Sequence, residues 1–375
     1  MLRLEHEVSL AEWERENNAF KIHVEEILFA SELDKDNIQC IANQTTVCSF
    51  SCDVISRKLY FDLQVLRYFL RINAIVDSKT ELTLQLFESI TFLCFAQELL
   101  NTNISFLSGI AFSLYSDKIL PCFNNPDYWE IFDYSRALEK TRIQAMFLFG
   151  HEVFHLRLST DPDNAKRYLK ETQESIFSVA YPDVILSTDL NEISQNARTL
   201  EEFACDAFSC EAVINIASSE QISLVDVALD IYAGVLNQFL LLQTKHLAMA
   251  AIDDLETSIA FVKAQLVFLI IRTQVLNAKI AKCLKLKSSP GDVQLYLERS
   301  VLLYNNWVES TIHHLINTFD QFKSAVLNNR VNDRVLFYMK TEARMEQGEG
   351  VDNIEEIIKR RVLDEWDAFD SIISL

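Results

Sequence analysis

The sequence predicts an α+β protein that is predominantly α-helical, with one small sheet near the start and a helical C-terminal half. Three observations carry this. Glycine (6) and proline (5) are scarce in 375 residues, which favours long helices over tight turns. From Thr199 to Lys287 there is no proline and a single glycine, Gly234. Strand signals are confined to residues 39–63, where β-branched and aromatic residues recur in Thr45-Thr46-Val47, Val54-Ile55 and Leu59-Tyr60-Phe61.

In chain order, residues 1–34 read as an amphipathic helical segment anchored by Leu4, Val8, Trp13, Phe20, Val24, Ile27 and Leu28. His6-Glu7-Val8 has no second histidine at position 10 and is read as part of that segment. Residues 39–63 read as a small hairpin or meander. Helices follow over 64–76 and 80–100, the second apolar nearly all round and so expected to be buried. The run Ile104 to Leu114 carries no decisive signal, and Pro121 to Pro126 reads as a loop. A turn over Trp129 to Asp133 leads into a helix from near Ser135 to near Leu158, stopped by Ser159-Thr160-Asp161-Pro162-Asp163. A helix over 164–179 and a loop around Pro182 come next. Apolar periodicity then marks helices over 222–248 and 255–285, and Ser288-Ser289-Pro290-Gly291 breaks the run. One long helix is expected from Asp292 to about Leu327. A last amphipathic helix over about 352–374 follows Gly348 and Gly350, with Ile354, Ile358, Val362, Trp366, Phe369 and Ile373 on one stripe for docking on the core. These signals divide the chain into an N-terminal segment (1–35), a core (36–215), a helical region (216–347) and a C-terminal helix (348–375).

Composition narrows the function classes. Hydrophobic residues make up 49% and charged residues 23%, so the chain is globular. A formal net charge of −20 disfavours nucleic-acid partners, because phosphates are repelled. Basic peptides or basic protein surfaces fit that charge better. The eight cysteines show no disulfide framework, and several lie in apolar runs, as free thiols do in a reducing compartment. The N-terminus is charged throughout and has no apolar signal core. The longest apolar stretches, such as Ile259 to Ile271, are broken by Lys263 and Gln265, so no membrane span is expected. The expected location is the cytoplasm.

The chemistry concentrates in Gly150-His151-Glu152-Val153-Phe154-His155. Two histidines four residues apart share one helix face, so both imidazoles reach one metal ion. Glu152 lies about 100° around the helix from His151, where a carboxylate can activate a water without being a ligand. That is the H-E-x-x-H arrangement of two zinc ligands and a general base. By chance it should occur on the order of once per hundred sequences of this kind. The preceding turns, with Ile143, Met146, Phe147, Leu148 and Phe149, are apolar, so the polar groups belong to a buried helix that must satisfy them. A catalytic zinc needs a third protein ligand. In Glu201-Glu202-Phe203-Ala204-Cys205-Asp206, Glu202 and Asp206 share a face one turn apart. Glu202 can bind metal while Asp206 orients a ligand imidazole. His246 and Arg272 are candidates for stabilising an oxyanion opposite the metal. His313-His314 point about 100° apart and do not share a metal.

The pair FGHEVFH and EEFACDAF resembles the gluzincin metallopeptidases, most closely the branch of prenyl-protein and stress-response membrane proteases, where H-E-x-x-H is followed by E-x-x-x-D. The resemblance covers about residues 40–215 and is specific at the two motifs. It implies a zincin-like core, His151, His155 and Glu202 as zinc ligands, Glu152 as general base, Asp206 in support, and an edge strand that aligns a protein or peptide substrate. The chain departs from the membrane members in lacking obvious spans. At the first motif it also resembles the soluble bacterial phage-exclusion peptidases, which cut a translation factor. A competing reading is a non-enzymatic helical interaction scaffold whose metal site is vestigial, or structural with Cys205 or Cys210 as a fourth ligand. A third is a protease held inactive until a regulatory protein partner arrives.

Overall fold

The computed structural model describes residues 6–7, 24–31, 33, 38–44, 50–78, 83–101, 105–123, 133–160, 162–182, 185–250, 255–307 and 311–328. Helix dominates these residues, with one small sheet. The signals at 45–47 and 129–132 and the C-terminal helix expected at 352–374 lie outside the described residues.

The sheet has the order β1-β2-β4-β3, built from β1 (His6–Glu7), β2 (Gln39–Gln44), β3 (Ser51–Asp53) and β4 (Lys58–Asp62). β3 and β4 form an antiparallel hairpin, one of the two expected forms, but the sheet as a whole is not a meander. β2 runs parallel to β4, with Gln39 opposite Lys58 and Asn43 opposite Asp62, while β3 returns antiparallel on the far side of β4. His6 and Glu7, expected in a helix, pair antiparallel with Gln44 and Asn43. Backbone pairing to a neighbouring strand outweighs the weak local helical pattern there. Val54 and Ile55, expected in a strand, form the β3–β4 turn instead. The Asp53 carboxylate accepts from the Ile55 and Ser56 backbone N–H groups at 3.0 and 3.1 Å, and Arg57 closes the turn in the left-handed region at φ 53°. Ile55 is left 97% exposed as a result.

The helices are α1 (Val24–Ala30), α2 (Leu63–Ser78), α3 (Thr83–Asn101), α4 (Ser105–Phe123), α5 (Tyr134–Thr160), α6 (Pro162–Ser178), α7 (Ser187–Gln195), α8 (Ala197–Ser219), α9 (Leu224–Ala250), α10 (Leu255–Lys287), α11 (Pro290–Trp307) and α12 (His313–Leu327). Their ends follow from local chemistry. Asp133 caps α5, accepting from the Arg136 N–H at 3.0 Å. Asn196 caps α8 through the Thr199 N–H at 3.1 Å. Ser289 and Asp292 close a reciprocal capping box at the start of α11. From Ser105 to Leu114 the undecided run belongs to α4, which extends through Pro121 and Cys122, residues expected in a loop. The short helix α7 has no counterpart in the sequence reading. The single helix expected from Asp292 to Leu327 is two, since α11 ends at Trp307 and α12 begins at His313.

The chain divides into two compact units made of alternating rather than consecutive segments: residues 1–69, 138–238 and 261–305 form one, and 70–137, 239–260 and 306–375 the other. In the first, α6, α7 and α8 pack together. One apolar cluster gathers Phe154, Ala204, Cys205 and Phe208, with the Phe154 and Phe208 rings stacked at 4.7 Å. Another joins Ile176 and Phe203 to Ile271 and Val275 of α10. In the second, α3, α4 and α12 pack together, and Phe95 meets Phe319 and Phe322 at 6.4 and 5.3 Å. As expected, α3 is buried on most of its surface, with Leu86, Ile90, Phe92, Leu93, Phe95, Ala96 and Leu99 all inside.

The expectation that no segment is long enough to cross a membrane needs correction. By length and composition, 25 residues of α9, Leu224–Ala248, are apolar enough, and 72% of the most apolar window is buried within the protein. A core helix has the same composition, and Asp230, Asn237, Gln243 and Thr244 are buried along this one.

Candidate metal centre

Two helices build the site. α5 contributes His151, Glu152 and His155 from its C-terminal turns, and α8 contributes Glu202, Cys205 and Asp206 from its N-terminal turns. Their approach depends on Gly150, since a side chain there would press into Ser209 of α8, whose Cβ lies 3.1 Å from the position of a Cβ on Gly150. Ser209 donates its hydroxyl proton to the Phe147 carbonyl at 2.5 Å, pinning the crossing one residue from the two-histidine face.

The four polar side chains expected to act together are brought together. His151 Nε2 lies 3.1 Å from Glu202 Oε2 and 3.3 Å from His155 Nε2, and His155 Nε2 lies 3.7 Å from Glu202 Oε1. A tetrahedral ion bound at 2.0–2.1 Å holds its donor atoms about 3.3 Å apart. Three donors on two helices already stand near that spacing. His151, His155 and Cys205 also form a cluster, with donor atoms within 4.8 Å of one another, that could hold a metal ion. Of the two possible third partners, Glu202 brings its two carboxylate oxygens to 3.1 and 3.7 Å from the imidazoles. The Cys205 thiol is fully buried among Phe154, Ala204 and Phe208, and burial, followed by the charges of Glu202, Asp206 and Glu152, pushes its pKa well up.

Behind the cluster lies a chain of buried polar contacts. His151 Nδ1 donates to Asp206 Oδ1 at 2.8 Å, which leaves Nε2 facing forward. Arg272 of α10 donates from Nε to Asp206 Oδ2 at 2.6 Å and from Nη2 to Asp206 Oδ1 at 2.8 Å and Gln238 Oε1 at 3.1 Å. Arg272 therefore holds the support of a ligand and does not face a reacting carbonyl. His246, the other oxyanion candidate, belongs to the second unit. Arg272 had a readable signal, because an arginine inside the apolar run Val267 to Leu276 implies a buried anion. Cys52 of β3, whose thiol hydrogen-bonds the Glu152 carboxyl, had none.

The electrostatics couple two imidazoles and a guanidinium to three carboxylates. Burial would lower the His151 pKa, but hydrogen bonds and charges from Asp206 and Glu202 overcome it and raise it from 6.5 to about 10. Burial also works against ionising Asp206, yet Arg272 holds its carboxyl down near 2. Burial raises Glu152 to about 7, with Glu202 adding repulsion against the opposing pull of His151. Burial and the His151 charge keep His155 below its usual value. Asp206 is balanced by Arg272. Glu202 is answered by His151, His155 and, more weakly, Arg272, and Glu152 by His151 and the Cys52 thiol; a divalent cation bound by neutral imidazoles would take over the charge that protonated His151 supplies. Comparison with family models, curated proteins and solved structures returned no match for this chain.

Proposed function

We propose that the protein is a zinc-dependent metallopeptidase, with His151, His155 and Glu202 as ligands and Glu152 as general base. The observation that carries this is the convergence of the two imidazole Nε2 atoms and the Glu202 carboxylate at 3.1–3.7 Å, with Glu152 beside them. Zinc bound there supplies Lewis-acid activation of a water and of a peptide carbonyl. Glu152 takes the proton from the attacking water and delivers it to the leaving amine. Asp206 holds the His151 tautomer, and Arg272 holds Asp206. Among the described residues β3 is an edge strand, and its Cys52 touches Glu152. A substrate backbone added along β3 would pass beside the general base.

The test is metal content by elemental analysis together with peptide cleavage. Near-stoichiometric zinc in wild type, its loss in Glu202→Ala, and retained zinc without cleavage in Glu152→Gln are expected. Cleavage surviving in Glu152→Gln would sink the mechanism, and zinc unaffected by Glu202→Ala would sink the ligand set. The nearness of Cys205 to both histidines favours one other reading, a closed structural site with sulfur as the fourth ligand. X-ray absorption separates the two: a zinc–sulfur distance of about 2.3 Å supports the structural site, and nitrogen and oxygen alone support catalysis.

A further inference from the structure

The α8–α10 packing carries a second reactive group that the metal chemistry does not use. Cys210 of α8 and Cys283 of α10 are hydrogen-bond partners through their thiols. The same level of the packing is fixed independently by an ion pair, since Lys279, one turn before Cys283, reaches Glu211, the residue after Cys210, at 2.5 Å. Lys279 also lies over the Tyr168 ring at 5.2 Å, and Lys282 reaches Glu171 of α6 at 3.3 Å, so Cys283 is flanked by two cations on a fixed helix face. The partners differ in access: Cys210 is fully buried, and Cys283 keeps 6% exposure at the edge of the core.

From this geometry we propose that Cys210 and Cys283 form a redox-active pair, closing a reversible disulfide between α8 and α10 on exposure to a peroxide. The asymmetry assigns the roles. The Cys210 hydrogen bond and the two lysines draw the Cys283 thiol below its usual pKa, while burial pushes Cys210 well above. Cys283 as thiolate attacks one peroxide oxygen, the O–O bond breaks, and hydroxide leaves, giving a sulfenic acid. The Cys210 sulfur then attacks the sulfenic sulfur, and its thiol proton leaves with the hydroxyl group as water. Two thiols and one hydrogen peroxide become one disulfide and two waters. The bond would tie together the two helices joined at Asp206–Arg272 behind the candidate metal centre.

The experiment uses the reduced full-length chain treated with hydrogen peroxide, blocked with N-ethylmaleimide, digested, and mapped by mass spectrometry under non-reducing conditions. The expected product is a Cys210–Cys283 linked peptide lighter by two hydrogens and restored by a thiol reductant. In Cys210→Ser, a sulfenic acid trapped at Cys283 by dimedone is expected; in Cys283→Ser, Cys210 should stay unmodified. Lys279→Gln should slow wild-type loss of the two thiols several-fold. Wild-type chain in which both residues remain free while other cysteines oxidise would overturn the proposal, whatever the variants do. This readout does not depend on metal or on cleavage.

Discussion

The two units differ in how far their buried ionisable groups converge on one point. In the unit built on α3, α4 and α12, Ser89 donates to the Gln85 and Leu86 carbonyls, Thr91 to that of Phe87 and Ser108 to that of Ala96. These are hydroxyls returning to nearby helix backbone; the α3–α12 contact is aromatic, and the unit also buries the Arg71 guanidinium and pairs Glu88 with Lys118 and Gln321. In the unit built on α5, α6, α8 and α10, the buried groups are ionisable and their partners lie far off in sequence: His151 on Asp206, Asp206 on Arg272, Glu202 against both histidines. Buried charge is costly wherever it serves stability alone, and apolar packing replaces it at little loss. The first unit is the one marked for a ligand, because buried His151, Asp206 and Arg272 meet the partly exposed His155, Glu152 and Glu202 at one point.

The largest test of that contrast pairs one truncation from each unit. Arg272→Met removes one of the two charged partners of buried Asp206 and leaves His151 alone to answer it, at a cost of about 3–5 kcal/mol. Phe95→Ala empties ring volume between Phe319 and Phe322, at a cost of about 3–5 kcal/mol. Denaturant melts should give similar losses. Zinc per folded chain should separate the variants, falling in Arg272→Met and unchanged in Phe95→Ala. Equal zinc in both would mean that the Asp206–Arg272 pair does not support the metal.

Next in size is Asp206→Asn. Loss of the carboxylate behind His151 should weaken zinc binding about 10–100-fold, read by chelator competition. The pH dependence of the metal-free protein sharpens this. The folded pKa of His151, about 10, lies above the usual 6.5, so its contribution is full below 6.5 and is lost as pH rises through 10. The folded pKa of Asp206, about 2, lies below 3.8, so its contribution is full above 3.8 and is lost as pH falls through 2. Stability from this pair should therefore be flat between about pH 4 and 6.5 and decline on both sides, with both flanks reduced in Asp206→Asn. Zinc must also displace the His151 proton. Calorimetry near pH 8 in buffers of different ionisation enthalpy should show proton release that Asp206→Asn diminishes.

Much of the site was legible in the sequence because its parts are local. The H-E-x-x-H spacing sets one face of α5, Glu202 and Asp206 set one face of α8, and scarce glycine and proline mark both as helices. What joins the parts is long-range and leaves no periodic trace. The Arg272 partnership, the Cys52 contact with Glu152 and the parallel β2–β4 pairing each join residues that no helical or strand period connects. The end of α11 at Trp307 is hidden for another reason, since no glycine or proline stands anywhere from Asp292 to Leu327. The short helix α7 depends on Asp189 capping its own first turn through the Leu186 N–H, in a stretch with little apolar period.

A smaller effect tests the helix crossing. Gly150→Ala pushes a methyl into Ser209, whose hydroxyl is held by the Phe147 carbonyl, so the neighbour cannot swing away freely. The cost should be about 1–3 kcal/mol, with some loss of zinc affinity because His151 is the next residue. Gly150→Ala combined with Ser209→Ala should recover most of both.

The smallest effect comes from the other unit. Ser108→Ala deletes a buried hydroxyl that donates to the Ala96 carbonyl at 2.8 Å. The donor disappears with the substitution and the carbonyl remains in the α3 hydrogen-bond ladder, so no buried charge and no orphaned donor is left behind. The loss should be about 1 kcal/mol, with zinc content and cleavage unchanged. The comparable removal beside the metal centre, Ser209→Ala, also deletes a hydroxyl bonded to a helix carbonyl, and by bond count should cost the same. If it lowers zinc affinity while Ser108→Ala does not, the difference measures how far the α5–α8 crossing itself aligns the histidines. If neither changes zinc, the ligands are aligned by Asp206 and Arg272 alone, and the crossing serves only packing.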